Sequence, residues 1–240
     1  MSLTPLAIPL LRAAAWFEEG PSGAGLAAGS DGFLDVAWGA PDVAFVEPLV
    51  RRRLSRLARG CFHCARRLAP PAEVRVVFAS QHGEAERTLG ILQELAAGSE
   101  ISPAHFSMSV HNAVPGLWSI LTGDHAGASA VAAGPETFAL GLVEAMAALA
   151  AEPALPVLYL YGDDRLPELW AQGVPQPGPH AVALLLGTPP ERILELGRDP
   201  EAPAAEMKEP QAYHALRALR GLPGSPWTGP GAGWDFTLKA

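Results

Sequence analysis

The chain has 240 residues, of which 49% are hydrophobic and 18% are charged, and its formal net charge at pH 7 is −8. This composition excludes a disordered or fibrous chain, and the excess of acidic groups excludes a general nucleic-acid binder. No apolar run reaches the ~18 residues that a membrane span requires, and the N-terminus lacks the basic region and cleavage site of a signal peptide. We therefore expect a globular cytoplasmic protein with no nucleic-acid partner and no membrane span.

The N-terminal part of the sequence predicts one apolar element, a loop, a short strand and a helix. Residues 3–17 could form a strand or a buried helix, because short apolar runs do not distinguish the two. Residues 18–32 have the composition of a loop, and residues 33–38 predict a short strand. A helix is then expected over residues 48–68, where two prolines end it.

The helix expected over residues 48–68 carries seven of the 17 basic residues of the chain. These are Arg51, Arg52, Arg53, Arg56, Arg59, Arg66 and Arg67. An apolar stripe at helical spacing leaves the arginines on the other faces of the helix. They form either a solvated, salt-bridged face or a docking surface for an acidic partner.

The two cysteines of the chain, Cys61 and Cys64, flank His63 in the sequence C-F-H-C. A metal half-site and a redox pair are alternative interpretations. Zinc requires about four ligands, however, and no second cysteine or histidine cluster supplies the remainder. We therefore expect buried free thiols and no bound metal.

Apolar runs at residues 73–80, 157–161 and 180–186 predict three buried strands. Residues 84–97 predict an amphipathic helix whose core-facing leucines are Leu89, Leu92 and Leu95. Helices between buried strands indicate an α/β layered sheet. The Pro- and Gly-rich sequence from about residue 221 predicts an irregular tail, which its two tryptophans attach to the body of the domain.

The residues from Ser102 to Leu149 contain the most informative pattern. A segment with a His-Asn pair is followed by a short helix, a small-residue strand from Gly127 to Ala133, and a helix that begins after Gly134-Pro135. A strand, a tight turn and a helix present one side chain at a helix N-terminus, where amide dipoles favour negative charge. Enzymes place nucleophiles there, but this turn offers only two alanines and a glycine.

Three motifs in this stretch resemble the N-terminal half of a β-ketoacyl synthase of the thiolase superfamily: S-P-x-x-F-S-x-S-V-H-N-x-x-x-G, S-A-V-A-A-G and F-A-L-G-L-V-E-A. The chain resembles in particular the short ketosynthase-like proteins described as chain-length-factor-like, from gene clusters for aryl-polyene pigments and related lipids. The resemblance covers roughly residues 42–190. It implies one α/β domain over residues 1–240 with half of a thiolase-like fold, a mixed sheet of about five strands with helices on both faces.

The resemblance places Ala133 at the position of the nucleophilic cysteine of ketosynthases. The histidines and the lysine of the family belong to motifs of its C-terminal half, and no segment of this chain matches them. We therefore expect no condensing activity, because a ketosynthase needs a thiolate, basic groups and an oxyanion hole. The candidate pocket residues that remain are Ser109, His111, Asn112 and Gly134.

Other interpretations of these residues remain open. Ser109, His111 and an aspartate at position 163 or 164 could be imagined as a hydrolase triad. No G-x-S-x-G elbow accompanies them, however, and His111 is too near Ser109 in one extended segment to face it. The structural alternative is that the His-Asn segment hydrogen-bonds the turn that carries Ala133. Asp163 and Asp164 could bind a metal or anchor a turn.

The sequence R-R-L-S-R-L, which begins at Arg52, resembles the basic element through which ketosynthases meet the acidic acyl-carrier protein. Arg52 and Arg53 match its basic pair, and we include Arg56 as a third candidate docking residue. Ser55 stands where that element has an aspartate, and we expect looser local packing there.

These features predict a non-catalytic, chain-length-factor-like partner in fatty-acid or polyketide-type (aryl polyene) biosynthesis. It would bind a complete ketosynthase, an acyl-carrier protein or both, and would need no cofactor. An acyltransferase or hydrolase that acts on carrier-bound acyl chains, and a small-molecule-binding domain, are the alternatives. In ketosynthases the strand that enters the nucleophile turn lies at the dimer interface. Gly127–Ala133 and residues 112–121 are therefore expected to form a dimer, with a second copy or with a ketosynthase.

Overall fold

The computed structural model describes residues 4–20, 25–174, 176–205, 209–222 and 226–239. Residue 3 of the first expected element, residues 21–24 of the expected loop, and residues 223–225 and 240 of the expected tail lie outside the described residues. The strands are β1 (Leu6–Phe17), β2 (Gly29–Ser30), β3 (Leu34–Trp38), β4 (Arg75–Ala79), β5 (Ala128–Val131), β6 (Val157–Asp163), β7 (His180–Leu186), β8 (Arg192–Asp199), β9 (Trp227–Thr228) and β10 (Gly233–Lys239). The helices are α1 (Pro48–Arg51), α2 (Arg56–Leu68), α3 (Ala85–Ala96), α4 (Pro103–Ser107), α5 (Ala113–Thr122), α6 (Thr137–Ala151) and α7 (Gln211–Leu219). None of these helices is both long and apolar enough to cross a membrane.

The described strands form one mixed sheet in the order β5-β4-β6-β7-β1-β8-β10-β9, with β3 attached to β1 and β2 attached to β3. β4 pairs in parallel with β5 and with β6, whereas β7 runs antiparallel to β6 and to β1. The carboxyl ends of β4, β5 and β6 and the start of β7 therefore lie together. We call this edge the carboxyl end of the sheet.

Residues 3–17 were expected to form either a strand or a buried helix, and Leu6–Phe17 form the strand β1. Its first half pairs with β8, its second half pairs with β3, and β7 pairs along its other side. All residues from Ala13 to Phe17 are buried. A continuous apolar run is the pattern of a strand that is covered on both faces.

Two hydrophobic cores lie on opposite faces of the sheet. Along β6, Tyr159 belongs to the core that contains Phe138 of α6, together with residues of α7. The neighbouring Leu160 belongs to the other core, with Phe62 of α2 and Trp118 of α5. Successive residues of a strand point to opposite faces, so helices cover both faces of the sheet. The expected α/β class is confirmed.

The sheet has more strands than the five that we expected, because residues near both ends of the chain join it. The sequence after residue 221, expected to be irregular, contains β10, which pairs with β8 along its whole length. Within β10 the buried Trp234 and Phe236 alternate with exposed residues, which is the pattern of a strand with one covered face. The prediction was wrong because prolines and glycines between the strands dominated the composition of the segment.

The helix expected over residues 48–68 is interrupted, so the prediction of one continuous helix was wrong. α1 ends at Arg51, and a short turn precedes α2. Ser55 is the N-cap of α2, and its Oγ accepts a hydrogen bond of 3.0 Å from the N–H of Ala58. Serine is among the preferred N-cap residues. The guanidinium of Arg59 donates to the carbonyl oxygen of Arg51 over 2.9 Å and thereby holds the turn.

α3 and α4 contain no buried residue. The side chains of Leu92 and Leu95 in α3 are 48% and 54% exposed, and that of Phe106 in α4 is 58% exposed. The expectation that the leucines of α3 face the core was therefore wrong. α3 packs against α4, a helix that itself buries nothing, so the apolar stripe of α3 faces outwards in this chain.

Gly60 of α2 lies where the helix crosses β1, and a Cβ at this position would come within 2.5 Å of Cε3 of the buried Trp16. We expect Gly60→Ala to lower the free energy of unfolding by about 1–3 kcal/mol, because an added methyl group forces the core to shift. Gly90→Ala in α3 is the matched control, since nothing lies within 4 Å of its added Cβ. That change should be neutral or stabilising by up to about 1 kcal/mol. Equal midpoints of urea unfolding for the two variants would contradict this prediction.

Candidate functional site

The turn between β5 and α6 has the strand–turn–helix geometry that the sequence predicted. Gly134 has a φ of +56°, in the left-handed region that favours glycine. The N–H of Ala133 donates to Oγ1 of Thr137 over 2.9 Å, and this hydroxyl donates to the carbonyl oxygen of Gly134 over 2.6 Å. Thr137 thus closes the turn, and the side chain that Ala133 brings to it is a methyl group.

His111 supports the strand that leads into this turn. Its Nε2 lies 3.1 Å from the carbonyl oxygen of Val131, the last residue of β5. The ring packs against Phe78 of β4, with the ring centroids 5.4 Å apart. On the other side, a Cβ at Gly83 would lie 2.7 Å from Nδ1 of His111. The imidazole is therefore held between β4, β5 and the turn after β4.

Ser109 and Asn112 are not arranged for catalysis with His111. The hydroxyl of Ser109 donates to the carbonyl oxygen of Phe106 over 2.9 Å. This places Ser109 just after α4, and not in the extended segment that we expected. Asn112 is exposed and begins α5 without a capping hydrogen bond from its side chain. The imagined hydrolase triad thus has no support, because its serine and histidine each bond to a backbone carbonyl.

A cavity of about 340 Å³ lies at the carboxyl end of the sheet. Its walls come from the ends of β4 and β6, the start of β7, the β5–α6 turn and the start of α7. Open α/β sheets bind ligands at this place. We call it the β6–β7 cavity, and its principal polar residues are Tyr161, Asp163, His180, Glu209, Gln211 and Tyr213. The described residues that line it include none of the four candidates Ser109, His111, Asn112 and Gly134.

Asp163 ends β6 inside this cavity and anchors a turn. One of its carboxylate oxygens accepts hydrogen bonds from the hydroxyl of Ser80, over 2.8 Å, and from the N–H of His82, over 3.0 Å. The hydroxyl of Ser80 in turn accepts from the N–H of Gly83 over 2.8 Å. Of the two alternatives for this aspartate, a metal ligand or a turn anchor, the hydrogen bonds favour the anchor. Among the described residues no group of histidines, cysteines and carboxylates could hold a metal ion.

His180 is the functional candidate that the sequence did not reveal. It is 1% exposed, and its Nδ1 lies 2.9 Å from the carbonyl oxygen of Gly178. Burial lowers the pKa of this imidazole, although the carboxylate of Asp163 acts in the opposite direction. Burial also raises the pKa of Tyr161, as does the adjacent Asp163. Both groups are therefore uncharged at neutral pH.

The three candidate docking arginines differ in their surroundings. Arg56 forms ion pairs with Glu18, at 3.1 Å, and with Asp164, at 2.7 Å. It therefore connects the end of β1 to the end of β6. Arg52 and Arg53 lie in the turn between α1 and α2 and are exposed, and in the described part of the chain neither side chain has an ion pair. They remain available to an acidic partner.

The turn that carries Arg52 and Arg53 is bonded to the start of α3. The hydroxyl of Ser55 donates to a carboxylate oxygen of Glu84 over 2.6 Å, and Glu84 forms an ion pair of 3.1 Å with Arg87. Arg87 also donates to the carbonyl oxygen of Arg53. Burial raises the pKa of Glu84, against the effect of the Ser55 and Arg87 contacts. The expectation of loose packing at Ser55 was therefore wrong, since this serine caps α2 and bonds to α3.

Cys61 and Cys64 are free thiols, and both are fully buried in α2. Burial raises the pKa of both thiols well above the ordinary value. A protonated thiol is neither a good metal ligand nor a good nucleophile. The C-F-H-C sequence is thus part of the core that α2 forms with the sheet.

A family model described as "Beta-ketoacyl synthase, N-terminal domain" matches residues 30–223. The chain belongs to the β-ketoacyl synthase N-terminal domain family. Its match extends beyond the residues 42–190 over which the motifs indicated a resemblance. No curated protein matches the chain.

Among solved structures, this β-ketoacyl synthase family chain is similar to a chain in "Ketosynthase (ApeO) in Complex with its Chain Length Factor (ApeC) from Xenorhabdus doucetiae". The sequence identity is 27%, the TM-score is 0.78, and the match covers 97% of this chain and 99% of that chain. The two chains are thus similar from end to end.

Two larger proteins have a similar fold at lower identity. The ishigamide ketosynthase/chain length factor is 16% identical with a TM-score of 0.54, and the match covers 73% of this chain and 57% of that chain. A β-ketoacyl synthase from Burkholderia phymatum STM815 is 12% identical with a TM-score of 0.51, covering 75% and 55%. The thiolase-like fold implied by the motifs is therefore confirmed.

The buried, neutral His180 should make the folded state sensitive to acid. The unfolded chain protonates this imidazole near its ordinary pKa of ~6.5, whereas the folded chain does so only at lower pH. The unfolded state then binds more protons. The contribution of His180 to the free energy of unfolding is therefore complete above a pH of ~6.5 and decreases as the pH falls.

As the pH falls from about 7 to about 5, we expect the free energy of unfolding to decrease less in the His180→Phe variant than in the wild type. The exposed His105 of α4 provides the variant His105→Phe as a control for the replacement of a histidine by phenylalanine. Urea unfolding at a series of pH values measures both slopes. A wild-type slope in the His180→Phe protein would show that this histidine does not titrate as described.

Proposed function

We propose that this protein is a non-catalytic, chain-length-factor-like partner of a complete ketosynthase. The observation that carries the proposal is the outer edge of β5, with which no described strand pairs, and the exposed apolar side chain of Ile120 in the adjacent helix α5. The similarity over nearly the whole length to a chain from a complex of a ketosynthase with its chain length factor supports it. The proposed setting is fatty-acid or polyketide-type biosynthesis of the aryl-polyene kind, in the cytoplasm.

The edge of β5 has the properties of an interface strand. β5 is the terminal strand of the sheet and pairs only with β4 among the described strands. An edge strand presents a row of free N–H and C=O groups that can pair with another chain. Ala128, Ser129 and Ala130 are small, so a second backbone can approach closely. In α5, which contacts β5, Ile120 is 77% exposed.

The proposal includes the absence of condensing activity. Ala133 and Gly134 occupy the turn where a nucleophile would stand. The side chains of Thr137, which closes this turn, and of His111, which contacts the strand before it, are bonded to backbone groups. A chain of this kind contributes surface and pocket shape to a complex, and the partner contributes the thiolate and the basic groups.

The second part of the proposal concerns an acyl-carrier protein. Arg52 and Arg53 are neighbouring exposed cations without ion pairs in the described part of the chain. Carrier proteins are acidic, so the two charges favour association, and salt should weaken it. Arg56 is assigned a structural role instead, because its guanidinium already contacts two carboxylates.

We expect sedimentation to show a heterodimer when this protein is mixed with the complete ketosynthase from the same gene cluster, or a homodimer when it is alone. Ser129→Arg should abolish the association, because a long cationic side chain on β5 keeps a second strand away. Ala27→Arg is the control, since Ala27 is an exposed loop residue next to β2, which joins the sheet through β3 and β1.

A wild-type protein that stays monomeric alone and with its ketosynthase would contradict the proposed partnership. So would equal association of the Ser129→Arg and Ala27→Arg proteins. Formation of a carbon–carbon bond from acyl-carrier and malonyl substrates by the purified chain alone would contradict the non-catalytic assignment.

We expect the double variant Arg52→Glu/Arg53→Glu to weaken binding of the acyl-carrier protein at least about tenfold at low salt, because two attractive contacts become repulsive. The double variant Arg12→Glu/Lys239→Glu changes the net charge equally at two other exposed positions, and it should bind nearly as the wild type does. Titration calorimetry at two salt concentrations measures the affinities. Equal loss of affinity in both variants would indicate a general charge effect and would refute docking at Arg52 and Arg53.

A further inference from the structure

We propose that the β6–β7 cavity is a binding site for a small, uncharged ligand that carries a hydroxyl group, and that this site lies wholly within the present chain. The cavity volume of about 340 Å³ falls within the range of small-molecule sites and is about ten times the volume that one water occupies in the liquid. A single ordered water therefore does not fill it.

Two polar atoms of side chains that line this cavity lack a hydrogen-bond partner. In the described part of the chain, Nε2 of His180 and Nε2 of Gln211 are buried and unpaired, and each of the two residues is 1% exposed. Buried polar groups are paired in the great majority of cases, and an unpaired one is unfavourable. Two such groups in the lining of one cavity indicate a ligand that supplies the missing partners.

The remaining contacts of the two side chains fix what each unpaired atom requires. Nδ1 of His180 faces the carbonyl oxygen of Gly178 at 2.9 Å, so this nitrogen carries the proton and donates. Nε2 of a neutral imidazole is then an acceptor. Oε1 of Gln211 accepts from the N–H of Ala139 over 3.0 Å, so the amide nitrogen Nε2 is a donor. The cavity thus lacks one donor and one acceptor.

A hydroxyl group supplies both the missing donor and the missing acceptor. Its hydrogen can be donated to Nε2 of His180, and its oxygen can accept from Nε2 of Gln211. A carboxylate can only accept, so it leaves the imidazole unpaired. An ammonium group can only donate, so it leaves the amide of Gln211 unpaired.

The charges around the cavity also disfavour an anion. Its lining contains four carboxylates and one guanidinium: Glu19, Asp163, Asp164, Glu209 and Arg165. Glu19 is paired with Arg165, Asp164 with Arg56, and Glu209 with Arg217. A bound carboxylate or phosphate would therefore lie near the carboxyl group of Asp163, without a free cation in the described lining.

One part of the wall is aromatic and suits an apolar group attached to the hydroxyl. The rings of Tyr161 and Tyr213 flank that of His180, with centroid distances of 5.6 Å and 5.3 Å. The ligand class is therefore a ring or short chain with one alcohol group. No described lining residue of the cavity belongs to β5 or α5, so the site is independent of the proposed partnership.

The test is nuclear magnetic resonance of the full chain with ¹⁵N-labelled histidine, titrated with cyclohexanol, with phenol and with cyclohexanecarboxylate. We expect one or both alcohols to move the Nε2 resonance of His180 to lower frequency in a saturable manner, as acceptance of a hydrogen bond does. The carboxylate should leave it unchanged. No movement with either alcohol, or equal movement with the carboxylate, would overturn the proposal.

Two variants assign the contacts. Gln211→Glu keeps an acceptor for the N–H of Ala139 but removes the donor, and it should weaken alcohol binding about tenfold. His180→Asn keeps a donor for the carbonyl of Gly178 and removes Nε2, and it should abolish binding measured by saturation-transfer resonances of the alcohol. His105→Asn, on the exposed face of α4, is the matched control. Binding that is equal in His180→Asn and His105→Asn would refute the site even if Gln211→Glu does not fold.

Discussion

Every residue of β6 and β7 is buried, and the rest of the structure depends on this constraint. Two neighbouring strands without a solvent-facing side chain need a covering layer on each face of the sheet. α2 and α5 form one layer, and α6 and α7 form the other. Only the ends of these strands then reach solvent. The polar groups collect at the carboxyl end of the sheet, where the β5–α6 turn and the β6–β7 cavity lie.

The sequence allows the covered strands to be predicted, because a strand buried on both faces is an unbroken apolar run. β4, β6 and β7 were found in this way. β10 was missed because its assignment depends on pairing with β8, a contact that composition does not record. The apolar stripe of α3 was correctly seen, but periodicity indicates which side of a helix is apolar and not what covers it. The break before α2 depends on one capping residue, Ser55, inside a stretch that is otherwise periodic.

In the candidate site, too, features that are contiguous in the sequence could be predicted, and features that depend on tertiary packing could not. The β5–α6 turn is contiguous in sequence, so its geometry and its lack of a nucleophile could both be predicted from Ala133 and Gly134. The β6–β7 cavity combines Asp163, His180 and Gln211, which are separated by loops and a strand pair and meet only through tertiary packing. The short sequence Gly162-Asp163-Asp164 was the one local signal of this site.

In the β5–α6 turn, the residues that hold the backbone in place are different from the residue at position 133. The positive φ of Gly134, the hydroxyl of Thr137 and the imidazole of His111 all serve the backbone. None of them requires a cysteine at position 133. The backbone of the turn is therefore held in place with alanine at position 133, and its geometry does not depend on which side chain stands there.

The bonds from Ser55 to Glu84 and from Arg87 to the carbonyl of Arg53 join the arginine turn to the start of α3. The turn and the start of α3 are therefore mechanically coupled, and the Leu92 and Leu95 side chains of α3 are exposed. A displacement of α3 would carry Glu84 and Arg87 with it and would shift Arg52 and Arg53 relative to α2.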